Sequence, residues 1–190
     1  ECYAPNASAR ILDDSGLIRD IVNNYSQLSF NMGPTLLSWM EENDPDTYQG
    51  ILEADKQSIG RFAGHGSAIA QVYNHLIMPL ANRRDKETQI KWGLYDFEKR
   101  FGRKAASIWL AETAVDTETL EICADHGMDY IILAPRQAKA FRKIGDKNWT
   151  ALSHEGVDPR RPYQYNLPSG KTIALFFYDG NISKDVAFKG

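Results

Sequence analysis

The chain has 190 residues, of which 43% are hydrophobic and 25% are charged, a composition typical of one globular domain with a sizeable core. A formal net charge of −3 gives no electrostatic reason to expect nucleic acid or an anionic membrane as a partner. The longest apolar runs, 130–135 and 173–178, are too short to span a bilayer. Two cysteines, Cys2 and Cys123, do not make a disulfide framework, and we therefore expect a cytoplasmic protein.

Both ends of the chain resemble cut ends. The sequence opens on Glu1 with neither an initiator Met nor a signal peptide, and residues 185–190 read as the start of a helix without its finish. We expect residues 1–190 to form a single domain that is a piece of a longer polypeptide, and the remainder of that polypeptide to be a partner of this chain.

The first third of the chain alternates between loops and short regular elements. Residues 1–15 are polar and turn-rich, which indicates a surface loop. Apolar residues on one side of 16–27 predict a helix, and 28–32 reads as a short strand. Helices are expected to begin at Pro34 and Pro45, because proline is tolerated in the first turn of a helix.

The rest of the chain continues the alternation after a glycine-rich segment, 60–67, that places His65 between two glycines. The expected elements are a strand at 68–73, a helix between Asn82 and Gly102, a strand at 106–110, a helix at 117–126, a strand at 130–133, a helix to Lys143, an excursion loop at 144–170 and a last strand at 172–178.

Strands that alternate with helices predict a mostly parallel sheet with right-handed crossovers. The carboxyl ends of parallel strands gather on one face, and here they carry a set of polar residues: Asn31, His75, Glu112, Gln137 and Asp179. This layout is typical of a (β/α) barrel, here with strands missing. The expected fold class is therefore α/β.

The strand predicted at 106–110 ends at the group of side chains that most strongly indicates a catalytic site. Glu112 stops the strand, Trp109 precedes it by three residues, and Asp116 follows it by four. A carboxylate can meet a developing oxocarbenium charge, and an indole can hold a pyranose ring, so the pair suits a site that cleaves sugars. A strand-end glutamate is more often simply paired with a nearby Arg or Lys, and this spacing alone does not separate the two interpretations.

Three stretches resemble glycoside hydrolase family 57, in its branch labelled α-amylase/α-mannosidase-like. Residues 64–80, with Tyr73 and His75 before a short apolar run, resemble the second conserved region of the family; 108–112 resembles the third; and 130–137 with 173–188 resembles the strands that follow. The resemblance implies an incomplete (β/α)7 barrel of the glycoside hydrolase and deacetylase type.

The resemblance also implies roles for individual residues. Glu112 matches the family's catalytic nucleophile, so the chain is expected to be part of a retaining glycosidase or glucan transferase acting on α-linked glucans. His75, Trp109 and His65 are the candidate substrate-binding residues. The alternatives are a support for Glu112 or a core histidine for His75, core packing for Trp109, and an ordinary turn for His65. The first conserved region and the fourth, which supplies the acid/base Asp, are absent and are expected outside this chain, so the piece by itself is expected to be inactive.

Two candidate residues have local explanations. Asp116 is either a helix cap or a support for Glu112. Asp179 is followed by glycine, as in the fourth region, but its surroundings match the preceding strand, so the acid/base role is not transferred to it. It is instead a residue of the local loop or of the rim of the site.

Other classes of function remain as alternatives. One is a non-catalytic barrel that binds glycan or serves as a scaffold. Another is a metal-dependent polysaccharide deacetylase, but its His-x-x-x-His pair does not occur, since His65 and His75 lie ten residues apart. We therefore expect no metal site and no cofactor, and an oligo- or polysaccharide as substrate.

Overall fold

The computed structural model describes residues 2–154 and 156–189. Its helices are α1 (Tyr3–Ala7), α2 (Pro34–Asn43), α3 (Pro45–Ser58), α4 (Arg83–Phe101), α5 (Thr117–Asp125) and α6 (Gly180–Lys189). Its strands are β1 (Ala9–Leu12), β2 (Ile18–Val22), β3 (Phe30–Asn31), β4 (Ala68–Gln71), β5 (Ile108–Trp109), β6 (Tyr130–Leu133), β7 (Ala140–Phe141), β8 (Thr150–Ala151), β9 (Tyr163–Asn166) and β10 (Thr172–Phe177). Every helix within residues 2–154 and 156–189 is too short or too polar to span a bilayer.

Six strands form one open row in the order β3-β4-β5-β6-β10-β9. The pairs β3-β4, β4-β5 and β6-β10 are parallel, and β9 is antiparallel to β10. A parallel bridge between Ser107 and Tyr130, with the Asp129 N–H donating to the Ala106 carbonyl at 2.8 Å, joins β5 to β6. The predicted alternation of strands and helices is confirmed from β3 to β6, and no α-helix lies between β6 and β10 in the described residues. The row does not close on itself among the described residues, so the chain shows part of an α/β fold and the predicted barrel is not itself visible.

Two of the expected helices are strands instead. Residues 16–27 contain β2, which pairs with β1 in a hairpin, because the Asp13 side chain accepts hydrogen bonds from the Ser15 and Leu17 N–H groups and Gly16 adopts a positive φ of 78°. These contacts make a tight turn that a helix would not tolerate. The helix expected to reach Lys143 is replaced by a 3₁₀ turn and by β7, which pairs with β8.

A buried ion pair fixes the start of β4. Asp55 on α3 is fully buried and makes two hydrogen bonds with Arg103, at 2.6 and 2.9 Å. Asp55 also accepts from the Ala68 N–H at 2.8 Å, and Arg103 donates to the Ala68 carbonyl at 2.9 Å. Because a buried charge needs both a partner and satisfied hydrogen bonds, this cluster ties α3 and the end of α4 to the amino end of β4.

The other end of β4 is set by the packing of α4. Gly93 lies in the interior of α4 and is buried; a Cβ atom on it would stand 2.1 Å from the Gln71 carbonyl oxygen. The absence of a side chain therefore allows α4 to approach the backbone of β4 closely. Gln89, one turn earlier, accepts from the Tyr73 N–H at its carbonyl (3.2 Å) and from the Asn74 N–H at its side chain (2.7 Å). Through these contacts α4 positions the loop that follows β4.

Candidate active site

The loops after β4 and β5 bring two of the predicted residues together. The two strands are parallel neighbours, with Gln71 beside Trp109, so the loops that follow them leave the sheet at the same edge. His75 Nε2 lies 3.0 Å from Glu112 Oε1. The His75 side chain is 59% exposed and the Glu112 side chain is 71% exposed. The pair is a carboxylate held by an imidazole and open to solvent, rather than a carboxylate locked against an arginine.

The backbone at Glu112 is unusual. Glu112 has φ 56° and ψ 19°, and Thr113 has φ 53°, so two successive non-glycine residues occupy the left-handed region. This conformation costs roughly 1–2 kcal/mol for each such residue. It is contained in the 3₁₀ turn Ala111–Thr113 between the buried end of β5 and α5.

A hydrogen bond from outside the turn and one within it hold this conformation. The side chain of Gln137, in the 3₁₀ turn after β6, donates to the Thr113 carbonyl at 2.8 Å and accepts from the Ala134 N–H at 2.7 Å. Thr113 itself donates through its N–H to the Leu110 carbonyl at 3.0 Å. The loop after β6 therefore supports the turn after β5, and the strained backbone is imposed by its surroundings.

Asp116 has a structural role, because both of its carboxylate oxygens accept hydrogen bonds. It is the N-cap of α5: one carboxylate oxygen accepts from the Thr119 N–H and hydroxyl, at 2.8 and 2.5 Å, and the other accepts from Lys86 Nζ at 2.6 Å. Lys86 is 2% exposed and also donates to Glu118 at 2.9 Å. Both oxygens of Asp116 are thus occupied by partners other than Glu112.

The charges in this cluster stabilise one another. Partial burial by itself raises the pKa of the Asp116 carboxyl, but the hydrogen bonds from Lys86 and Thr119 outweigh it, and the net pKa lies below its ordinary value. Burial likewise lowers the pKa of Lys86, while hydrogen bonds to Asp116 and Glu118 raise it, and the net shift is upward. Asp116 is therefore ionised and Lys86 protonated at neutral pH.

Trp109 and His65 occupy different ends of the sheet. Trp109 is half-buried, whereas its two neighbours in the chain, Ile108 and Leu110, are fully buried. Because successive side chains of a strand point to opposite faces, Trp109 lies on the other face of the sheet from these two residues. On that face it lies beside the half-buried Gln71 of β4. His65 is exposed in the turn that precedes β4. Because His75 and Glu112 follow the carboxyl ends of their strands, His65 lies at the opposite edge and does not join the pair.

Asp179 lies two residues after the end of β10 and caps the start of α6. Its Oδ1 accepts from the Asn181 and Ile182 N–H groups, each at 3.0 Å. It also lines an open cavity of about 710 Å³, together with Tyr178, Arg136 and His154. The lining includes the loop after β6, whose Gln137 supports the turn at Glu112. Asp179 is thus a helix-capping residue at the rim of the same sheet edge, while Glu112 is not part of that cavity wall.

Gln137 is the functional candidate to which sequence reasoning assigned no role. It was visible only as one of several polar residues after a strand, in the stretch Ala134 to Gln137. No pattern in the sequence shows that its amide reaches the Thr113 carbonyl. No group of three or more His, Cys, Asp or Glu side chains within 2–154 and 156–189 could hold a metal ion.

Comparisons with known proteins agree with the resemblance seen in the sequence. The 4-alpha-glucanotransferase of Thermococcus litoralis is 22% identical over 173 residues, which are 90% of this chain and 23% of that protein. Alpha-amylase 1 of Dictyoglomus thermophilum is 27% identical over 99 residues, or 52% of this chain and 13% of the relative. The chain thus spans about a quarter or less of the length of these curated relatives.

Solved structures show the same fold. The crystal structure of the Thermococcus litoralis 4-alpha-glucanotransferase matches with a TM-score of 0.60 at 20% identity, covering 87% of this chain and 24% of that chain. The exo-type maltose-forming amylase of Pyrococcus sp. ST04 matches with a TM-score of 0.62 at 21% identity, over 85% of this chain and 24% of that one. The sequence model of glycosyl hydrolase family 57 matches residues 10–190, nearly the whole sequence, and the chain therefore belongs to glycosyl hydrolase family 57.

Proposed function

We propose that this chain is the core of a retaining glycosidase or glucan transferase that acts on α-linked glucans, with Glu112 as the nucleophile. The observation that carries the proposal is the Glu112 carboxylate in the turn after β5, exposed to solvent and held by His75 at 3.0 Å. The names of two family relatives, a 4-alpha-glucanotransferase and an alpha-amylase, support an α-glucan as the substrate class.

In the proposed mechanism the Glu112 carboxylate attacks the anomeric carbon while the bond to the leaving oxygen breaks and that oxygen takes a proton from an acid. Water or a sugar hydroxyl then displaces the glycosyl group from Glu112, and the same acid, now a base, removes its proton. The hydrogen bond from His75 would fix the rotamer of the carboxylate for attack, which is the kind of positioning that lowers the entropic part of a barrier. Trp109, half-buried beside Gln71, is the proposed platform for a sugar ring.

The proposal places the proton donor outside this chain. A retaining mechanism needs a second carboxyl group roughly 5–5.5 Å from the first. The two carboxylates considered above have other partners: Asp116 bonds to Lys86 and Thr119, and Asp179 caps α6. We further propose that the rest of the parent polypeptide supplies this acid and the strands that close a (β/α)7-type barrel, consistent with the small fraction of each relative that the chain spans.

The full-length protein tests the proposal. Incubated with maltoheptaose, it should release products whose new reducing ends are first formed as the α-anomer, detected by proton NMR before mutarotation. Maltooligosaccharides longer than the donor would identify transfer, and their absence would identify hydrolysis. First-formed β-anomers would rule out a retaining mechanism, and binding of maltoheptaose without any turnover would favour a non-catalytic glycan-binding barrel.

Gln137 is expected to act as a positioning residue for Glu112. In Gln137→Glu the side chain can still accept from the Ala134 N–H but can no longer donate to the Thr113 carbonyl, so the turn at Glu112 loses its external support. We expect kcat to fall roughly tenfold while KM stays within about a factor of three, because a misplaced nucleophile affects the reaction more than binding. Loss of one hydrogen bond should cost only about 1 kcal/mol of stability.

The matched control is Gln164→Glu, which makes the same change at an exposed position of β9 and should leave kcat unchanged. Steady-state kinetics on maltoheptaose and thermal unfolding of both full-length variants give the comparison. A Gln137→Glu variant with wild-type kcat would show that the turn at Glu112 does not need this bond.

A further inference from the structure

An open groove lies along α4, apart from the Glu112–His75 pair. It has a volume of about 660 Å³ and is lined by aromatic and polar side chains of α3, α4 and the loop after β4: Tyr48, Gln49, Tyr73, Trp92, Tyr95 and Lys99. The volume falls within the range of ligand pockets in proteins. The groove shares no residue with the candidate active site.

Three aromatic rings of this groove face solvent. Trp92 is 53% exposed, Tyr95 is 70% exposed and Tyr73 is 37% exposed. Trp92 and Tyr95 are three residues apart on α4, which places them on neighbouring positions of one helix face. The rings of Tyr73 and Trp92 pack edge to face, with centroids 5.5 Å apart and an interplanar angle of 82°. In such a pair at least one face of each ring stays free of the other, so a ligand meets flat apolar surfaces that are already oriented.

The polar part of the groove is equally ordered. Arg100 donates to Asp96 on the same helix, to Glu41 on α2 at 2.8 Å and to the Tyr48 hydroxyl on α3 at 3.0 Å. This network fixes one wall of the groove, while Gln49 and Lys99 are exposed. The core of a protein–protein interface is depleted in charged residues, and this groove holds four of them, Glu41, Asp96, Lys99 and Arg100. Aromatic platforms flanked by carboxylate, amide and guanidinium groups instead suit a sugar, which has an apolar ring face and a polar rim.

We propose that this groove is a second, non-catalytic binding site for an α-glucan chain. The identity of the ligand rests on the proposed function, whereas the site itself rests on Trp92, Tyr95 and Tyr73. A pyranose would stack on the indole of Trp92, and its hydroxyl groups would exchange hydrogen bonds with Gln49, Lys99 and the carboxylate of Asp96.

The groove lies where it could hold a long glucan close to Glu112. Tyr73 stands two residues before His75 in the loop after β4, and α4 runs back from this loop towards the start of β4, where Arg103 meets Ala68. The end of the groove at Tyr73 is therefore the end nearer to His75, and the groove extends from there along α4. A long glucan held in the groove would raise the local concentration of its own chain at Glu112. A short oligosaccharide, which occupies only one of the two sites at a time, would gain nothing.

The test uses the full-length protein and the substitution Trp92→Ala. We expect the amylopectin concentration for half-maximal rate to rise roughly tenfold, as loss of one stacking contact predicts, while kcat/KM on maltotriose stays within a factor of two of wild type. Tyr95→Ala should also raise the amylopectin concentration for half-maximal rate. Because Tyr95 is more exposed, this variant is the substitute if Trp92→Ala folds poorly. Trp39→Ala is the matched control, because Trp39 is 56% exposed on α2 and does not line the groove.

A second measurement separates this proposal from the proposed function. Affinity electrophoresis in gels containing amylopectin, run on a Glu112→Gln background, reports binding without turnover. Retardation that is lost with Trp92→Ala or Tyr95→Ala and kept with Trp39→Ala supports the groove. Equal retardation of all variants, or equal amylopectin kinetics, overturns the groove and leaves the catalytic proposal intact. If the wild-type protein acts on neither maltotriose nor amylopectin, the proposed function fails. Retardation that still depends on Trp92 would then keep the groove as a glucan-binding site. Without any such retardation, both the groove and the proposed function are rejected.

Discussion

Substituting Glu112 by glutamine is expected to reduce kcat of the full-length protein on α-glucans by roughly 10³-fold or more, the scale seen when a catalytic nucleophile is removed. The amide keeps the size of the side chain and can still bond to His75, but it cannot form the glycosyl ester. KM should change little, because the exposed carboxylate contributes to the reaction more than to binding. The measurement is steady-state kinetics on maltoheptaose. Glu98→Gln, at an exposed position of α4, should retain wild-type activity.

The left-handed backbone at Glu112 allows a sharper version of the same test. Glycine adopts φ 56° without strain, so Glu112→Gly should abolish activity and at the same time raise the free energy of unfolding by about 1 kcal/mol. A residue that is needed only for packing would not lose activity and gain stability in the same substitution.

The glycine variant also opens space for an external nucleophile. With an α-glucosyl fluoride as donor, azide should displace fluoride from the face that Glu112 would have used and release a β-glucosyl azide. Full activity of either Glu112 variant, or an α-glucosyl azide as the product, would show that the nucleophile is another group.

Substituting Gly93 by alanine is expected to lower the free energy of unfolding by about 3 kcal/mol, at the upper end of the cost of overpacking a core. The new Cβ would stand 2.1 Å from the Gln71 carbonyl oxygen and 3.2 Å from the Tyr73 nitrogen. These are backbone atoms, which cannot turn away as a flexible side chain can. Because α4 also holds the loop that leads to His75 through Gln89, activity should fall together with stability.

Gly50→Ala is the matched control, since Gly50 is also an interior helix residue, in α3. A Cβ there would meet the Ala7 methyl group at 3.4 Å, an ordinary contact. The higher helix propensity of alanine should make this variant neutral or more stable by up to about 1 kcal/mol. Urea unfolding of the full-length protein followed by tryptophan fluorescence measures both changes. Equal stability of the two variants would contradict the close approach of α4 to β4.

The elements that the sequence predicted well are those with strong local signals. The helix between Asn82 and Gly102 is confirmed as α4: the Asn82 side chain accepts from the Asp85 N–H, and Gly102 takes the left-handed conformation that ends a helix. Asp116 is confirmed as the cap of α5, and the strand 130–133 has the predicted bounds. Apolar spacing failed at 16–27, where the Asp13 turn makes a hairpin whose apolar side chains are exposed, so no buried face selects a helix.

The sequence by itself determined that Glu112 follows a buried strand and that the chain resembles a family of glycoside hydrolases, because strand patterns and short conserved stretches are local properties of a sequence. The sequence also predicted that His75 and Glu112 lie at the same edge of the sheet. Only the tertiary structure decided that these two side chains are within hydrogen-bond distance, that Gln137 supports a left-handed turn, and that Lys86 pairs with Asp116. The residues of these contacts lie between 24 and 37 positions apart in the chain. Their meeting depends on which strands are neighbours and on how closely α4 packs, and no local pattern contains that information.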